Sequence, residues 1–355
     1  MISAILGEMK LRKDEMENES IDTIYFGGGT PSILKAQSWQ SLFDGLSKYV
    51  SISSQNEITV EANPEDINQS FIENLGRFPV SRISLGVQSF DEKSLKLLGR
   101  AHSHEQAKQS IIMLKELGSY SLNVDLIFGL PGRELRSLES DLELLEVLEP
   151  NHISAYSLTI EKQTKLGRLF DKKEFIPLSD EGYLKEYQLI HNTLAEAGYL
   201  HYEISNYCKP DSMSLHNSSY WTGKPYIGLG PSAHSFRNGI RSWNIPNNGK
   251  YISEIRNGIL PNESEELTPE EAHNEKLMLK LRTIEGINLE SWEREYGYNL
   301  YLENKSQIKQ FVKAKWVELK GDNLNLSIEG WFRSDEIVAN LFLEDGELNK
   351  KLNDF

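Results

Sequence analysis

Short strand-like segments alternate with helix-length stretches through the first half of the chain, and that rhythm is what most restricts its fold. Thr23–Phe26 (TIYF), Glu57–Val60 (EITV), Arg82–Val87 (RISLGV), Asn123–Phe128 (NVDLIF) and His152–Leu158 (HISAYSL) are rich in β-branched and aromatic residues. Helical patterning from about Gln37 to Val50, and a stripe of Ala107, Ile111, Leu114 and Leu117 that stops at Gly118, lie between them. Such spacing means βαβ units and a parallel sheet. The strands read mostly as continuous apolar runs, the pattern of a sheet covered on both faces. A doubly wound open sheet and a complete or partial TIM-type barrel both fit. Either would bind its ligand at the carboxyl ends of the strands.

Farther along, a long helix is predicted from Asp180 to about Ala197, followed by a loop-rich stretch from Gly198 to Asn248 dense in Tyr, Trp, His, Gly and Pro. From Thr268 the pattern predicts three helices and a small hairpin, Val317–Leu319 with Leu324–Ser327, which suggests a winged-helix-like module. Acidic residues outnumber basic ones there, and the whole chain carries a formal net charge of -15. A charge of that sign repels phosphate backbones, so nucleic acid is not an expected partner. No apolar run approaches the ~20 residues of a membrane span. The N-terminal segment MISAILGEMKLRKDEMENES lacks the apolar core of a signal peptide, so a cytoplasmic location is expected. The one cysteine, Cys208, excludes an internal disulfide and any metal or iron–sulfur site built from several thiolates of this chain.

The strongest chemical signal is a row of polar residues at strand ends. Gly27-Gly28-Gly29-Thr30-Pro31 follows the first strand, Glu61 the second and Gln88 the third, while Asp125 sits inside the fourth. A carboxylate in a core strand is costly unless paired or solvated in a cavity. Glu61, Gln88 and Asp125 are therefore expected to face one mouth, with Arg100 as a positive partner. The bland alternative bonds each carboxylate to neighbouring backbone. The glycine run permits close backbone approach but matches neither the dinucleotide fingerprint nor a P-loop. A second signal is His216-Asn217-Ser218-Ser219-Tyr220-Trp221, followed by Gly228-Leu229-Gly230-Pro231-Ser232-Ala233-His234. Aromatics and imidazole beside glycine loops suit a planar ligand, with histidine a candidate iron ligand. They equally suit a tightly turned structural loop. His102 and His104 read as caps or surface residues, and Cys208 as a small buried side chain.

The runs IYFGGGTPS, VEANPE, RISLGVQSFDEKSLKLLGRAHS, NVDLIFGLPG and HYEISNY together resemble the radical S-adenosylmethionine family of oxygen-independent coproporphyrinogen III oxidases. HNSSYW is similar to the HNxxYW signature of that family's HemW-type branch, regarded as haem chaperones. The resemblance implies a partial (β/α)6 barrel over 1–180, barrel completion and the HNxxYW region over 181–266, and a HemN-type C-terminal domain over 267–355. It places S-adenosylmethionine contacts on Gly28, Gly29, Thr30, Glu61, Gln88, Arg100 and Asp125. It makes His216, with Asn217, Tyr220 and Trp221, the candidate haem contact. Ser232 stands where the family usually has glycine. The family also has a first strand and a CxxxCxxC loop whose thiolates hold a [4Fe–4S] cluster. Met1 falls within what resembles the helix after that loop, so the cluster is expected only in a longer form. The implied function is binding and transfer of haem to a receiving apoprotein, without radical chemistry from these residues alone. A coproporphyrinogen oxidase-like enzyme and a cluster-free haem or porphyrin binder are the alternatives.

Overall fold

A computed structural model describes residues 1–16, 21–52 and 55–348. Its main sheet is built from β1 (Thr23–Phe26), β2 (Glu57–Ala62), β3 (Arg82–Gln88), β4 (Ser121–Phe128), β5 (His152–Ser157), β6 (Leu200–Glu203) and β7 (Asn206–Cys208). They lie in the order β1-β2-β3-β4-β5-β7-β6. The first five strands run parallel; β7 returns antiparallel to β5, and β6 antiparallel to β7. Among the described residues β1 and β6 do not pair, so the sheet is an open bowl, the partial barrel expected from the sequence.

The apolar-run reading of these strands needs correction, because they alternate. Outward residues Ile58, Val60, Ile83, Leu85, Val87, Val124, Leu126 and Ile153 are fully buried against the helices. Inward residues are polar: Glu57, Thr59 and Glu61 on β2; Arg82 and Ser84 on β3; Asn123 and Asp125 on β4; His152, Ser154 and Tyr156 on β5. The register sets Glu61 beside Ser84, and Asp125 beside Ser154. The hydrophobic core therefore lies outside the bowl, between sheet and helices, where Trp39, Phe43, Leu75, Ile111, Leu114 and Leu142 pack. Each such side chain contributes about 1.5–3 kcal/mol on burial. The helix His104–Leu117 starts at a Ser103/Gln106 capping box and stops at left-handed Gly118.

The stretch read as loop-rich, Gly198 to Asn248, is largely structured. It contains β6, β7, the helix Leu215–Trp221, β8 (His234–Arg237) and β9 (Ile240–Asn244). With β10 (Asn262–Glu266), β8 and β9 form a three-stranded antiparallel sheet. Buried Glu8 of the first helix, Ile2–Leu11, anchors this sheet by accepting from Gly230 N, Asn244 Nδ2 and Tyr251 Oη. Ser232 does adopt a left-handed φ of +60°, a conformation that costs a side-chain-bearing residue about 1–2 kcal/mol.

The last region has the three predicted helices, Pro269–Leu281, Leu289–Tyr296 and Lys305–Lys313, and three short ones that the sequence reading did not include, Leu300–Glu303, Ile328–Phe332 and Ser334–Ala339. The hairpin β12 (Val317–Lys320) and β13 (Asn323–Leu326) gains a third strand, β11 (Ile287–Asn288). This module is tied to the bowl through Ile204 N to Arg282 O at 2.9 Å and Ile284 N to Tyr202 O at 3.0 Å. Residues 349–355, the end of the expected C-terminal segment, fall outside the described residues. No described helix is long and apolar enough to cross a membrane.

Candidate functional site

The inward face is organised in tiers. At the base, Glu57 and Arg82 form a buried ion pair at 3.0 Å. Arg82 Nη2 donates to the carbonyls of Ser212 and Met213. Glu57 accepts from Ser214 Oγ and from the backbone amides of Leu215 and His216, at 2.9–3.1 Å. One buried carboxylate thus holds the start of the helix that carries the HNxxYW residues. Neither Glu57 nor Arg82 was singled out from the sequence.

Above them, Asn123 Nδ2 donates to Ser84 Oγ and to Asp125 Oδ1, both at 2.8 Å. His152 bridges Asn123 Oδ1 at 2.6 Å and Tyr202 Oη at 2.8 Å, and burial holds its pKa well below the usual histidine value. Asp125 keeps part of its surface open to the bowl. Desolvation, with repulsion from Glu61, pushes its pKa up to about 6 despite the Asn123 and Ser84 bonds.

At the rim, Glu61 accepts from Tyr25 Oη at 2.8 Å and from Gly28 N at 3.1 Å. Gly28 has φ +73°, and open space surrounds the positions where Gly28 and Gly29 would carry a Cβ. Gly27 is the tight one: a Cβ there would meet Tyr25 at 2.4 Å and Glu61 at 2.5 Å. Thr30 is exposed and precedes the turn Pro31–Ile33 without capping it. Gln88 is buried with φ +67°, and its amide nitrogen and Asn63 Oδ1 both border the position where Gly86 would carry a Cβ. Arg100 donates to Asn63 Oδ1 at 3.3 Å, and burial lowers its pKa while Glu65 and Asp125 oppose the shift. Glu61, Gln88, Arg100 and Asp125 therefore share one concavity. Its β3 tip is clamped from outside by buried Asp141, which accepts from Ser89 Oγ, Phe90 N and Arg133. His102 is not a surface residue: it is buried between Glu65 at 3.1 Å and the Val87 carbonyl at 3.0 Å.

The HNxxYW helix crosses beside β1. His216 stacks on Tyr25, its Nδ1 meets Thr23 Oγ1 at 2.8 Å and its Nε2 meets Tyr220 Oη at 3.1 Å. Burial lowers its pKa, with Glu57 opposing. Both ring nitrogens are engaged, and the Nε2 contact is the solvent-facing one. Asn217, Tyr220 and Trp221 line a cavity of about 490 Å³ between the β5 end, the β6–β7 turn and the C-terminal module. Glu203 and Arg282, on opposite sides of that junction, were also missed from sequence. The alternation His201-Tyr202-Glu203 was the available signal for the former.

The parallel bowl and the module at its rim correspond to two separate family matches. Residues 5–145 match the radical SAM superfamily, and residues 267–333 match the HemN C-terminal domain. The solved structure of Escherichia coli coproporphyrinogen III oxidase (HemN), a radical SAM enzyme, superposes with a TM-score of 0.80 over 96% of this chain and 82% of that one. Their identity is 18%. The heme chaperone HemW of Lactococcus lactis is 32% identical over 329 residues, covering 93% of this chain and 86% of the relative. That of Bacillus subtilis is 33% identical over 321 residues, covering 90% and 85%. The chain belongs to the HemW family of the radical SAM superfamily.

That superfamily implies an iron–sulfur cluster held by cysteines. The sole cysteine here, Cys208, is buried on β7. Among the described residues no group of three His, Cys, Asp or Glu side chains could hold a metal ion. The residues present do not fit a cluster carried by three thiolates of this chain.

Proposed function

We propose that this protein binds S-adenosylmethionine in the bowl and binds haem for transfer to a receiving apoprotein in the cytoplasm. The cofactor's contacts would be Gly28, Gly29, Thr30, Glu61, Gln88, Arg100 and Asp125. The open backbone of Gly28 and Gly29 suits the methionine carboxylate and amino group. Glu61 holds that loop in place, and Asp125 offers an anionic surface to a sulfonium or ammonium. His216, with Asn217, Tyr220 and Trp221, is the haem contact; His216 would free its Nε2 for iron by releasing the Tyr220 hydroxyl.

The observation that carries this reading is the convergence on Tyr25, whose hydroxyl serves Glu61 and whose ring supports His216. The two proposed ligand sites share one side chain. Names of the relatives, heme chaperones from two bacteria, favour haem over other planar ligands. The experiment is a haem titration of the full chain followed at the Soret band. A shifted band in the wild type that is lost or displaced in His216→Ala supports the assignment, and an identical spectrum in the two proteins rejects it.

A further inference from the structure

The cavity behind the HNxxYW helix has features that the proposed haem contacts leave unexplained. Its walls are aromatic, with Tyr220 and Trp221 on one side and Trp331 and Phe332 of the C-terminal module on the other. Its volume, about 490 Å³, falls within the range of small-ligand sites. Polar groups at its edge are incompletely matched. Glu203 is 1% exposed; its Oε2 accepts from Ser205 N, while its Oε1 lacks a well-formed hydrogen bond although Asn206 lies against it. Arg282 has a buried Nε with no acceptor. Its other side pairs with Asp335, whose side chain is 88% exposed.

An ion pair to so exposed a carboxylate contributes little, because water solvates the free Asp335 nearly as well. A ligand carboxylate arriving from the cavity could replace Asp335 and meet the guanidinium fork, the geometry in which arginine binds carboxylates most strongly. Nearby Glu203 would oppose such an anion when ionised. Burial pushes its pKa up to about 7 although Arg282 favours the ionised form, so near neutrality it is about half protonated and the repulsion is reduced.

We propose that this cavity holds the planar ring of a tetrapyrrole, with Arg282 of the C-terminal module anchoring one of its carboxylates in place of Asp335. The proposal rests on the haem reading above and adds to it an anchor that lies outside the HNxxYW residues. It makes the junction between bowl and C-terminal module part of the binding site rather than a structural seam. Asp335 then acts as a competitor that the ligand displaces.

The test uses metal-free protoporphyrin IX and its dimethyl ester, followed by quenching of tryptophan fluorescence in the full chain. Without iron, binding does not depend on histidine ligation. Arg282→Gln should weaken the acid about tenfold, the loss of a charge-assisted contact, and leave the ester within about twofold. Asp335→Asn, which removes the competitor and keeps Arg282, should tighten the acid and not the ester. Equal losses for acid and ester in Arg282→Gln, or no change in either variant, would overturn the proposal. If haem gives a His216-dependent Soret band while acid and ester behave alike in both variants, only the anchor is wrong. If the wild type binds neither haem nor protoporphyrin, the haem reading fails and this proposal with it.

Discussion

The ring of Tyr25 stacks on that of His216, with centroids 4.7 Å apart and planes inclined by 19°. The Tyr25 hydroxyl meanwhile donates to Glu61 at 2.8 Å. Burial and the neighbouring Glu61 carboxylate hold its pKa far above the usual tyrosine value, so it remains a donor at all physiological pH. This residue ties the polar rim of the bowl to the helix carrying the HNxxYW motif, and its two functions can be separated.

Tyr25→Phe removes the hydroxyl and keeps the stack. S-adenosylmethionine affinity should fall about tenfold, the scale of one hydrogen bond to a charged group, while the haem spectrum stays unchanged. Tyr25→Leu removes both and should alter both readouts. Calorimetry with S-adenosylmethionine and Soret titrations on the two variants check this, and a haem spectrum equally changed in both would refute the separation.

Glu57→Gln leaves Arg82 buried opposite a neutral amide and weakens the hold on Ser214, Leu215 and His216. Breaking one side of a buried pair costs about 3–5 kcal/mol. Urea unfolding should show a loss on that scale. A change below about 0.5 kcal/mol, the range of ordinary surface substitutions, would show the pair to be dispensable.

Asp125, with its pKa at about 6, sets a pH dependence for a cationic ligand. Below that value the carboxyl is neutral and its attraction for a sulfonium or ammonium is lost. Affinity for S-adenosylmethionine should therefore fall as pH drops from 7.5 to 5. In Asp125→Asn it should be lower and nearly flat across this range. Parallel profiles in the two proteins would remove Asp125 from the site.

His201 stacks on Tyr207 with centroids 3.9 Å apart, and burial, aided by His191, lowers its pKa to about 3. The unfolded chain takes up a proton at this residue below about pH 6.5, and the folded chain does not until about 3. Stability from this group is present above 6.5 and lost as pH falls through that window. Glu203, raised to about 7, has the opposite sign and gains stability as pH falls from 7 toward 4.5, so the two slopes oppose each other in the wild type. Comparing His201→Gln with wild type isolates one of them. Its stability relative to wild type should rise by roughly 2 kcal/mol between pH 7 and pH 5, measured by urea midpoints at both values. A constant difference across pH would mean that His201 titrates normally.

The five parallel strands and the grouping of Glu61, Gln88 and Asp125 were legible because strand length, helix spacing and glycine turns are local signals. The alternation of Glu57-Thr59-Glu61, Arg82-Ser84, Asn123-Asp125 and His152-Ser154-Tyr156 was equally present in the sequence. It was obscured because the outward apolar residues dominate each short run. What could not be read locally are contacts between distant segments. Glu57 meets His216 N across 159 positions, and Glu8 meets Asn244 across 236. Short strands such as β6 to β9, rich in Tyr, Trp and Asn, carry weak periodicity and depend on their partners for definition. His102 looked like a cap because nothing adjacent revealed the Glu65 and Val87 groups that bury it.

The most direct test is calorimetric titration of S-adenosylmethionine into the wild-type chain and into Glu61→Gln. Binding in the wild type, weakened at least about tenfold in the variant as one charged acceptor is neutralised, is the expected result. Undetectable wild-type binding, or equal affinities in the two proteins, would contradict the account.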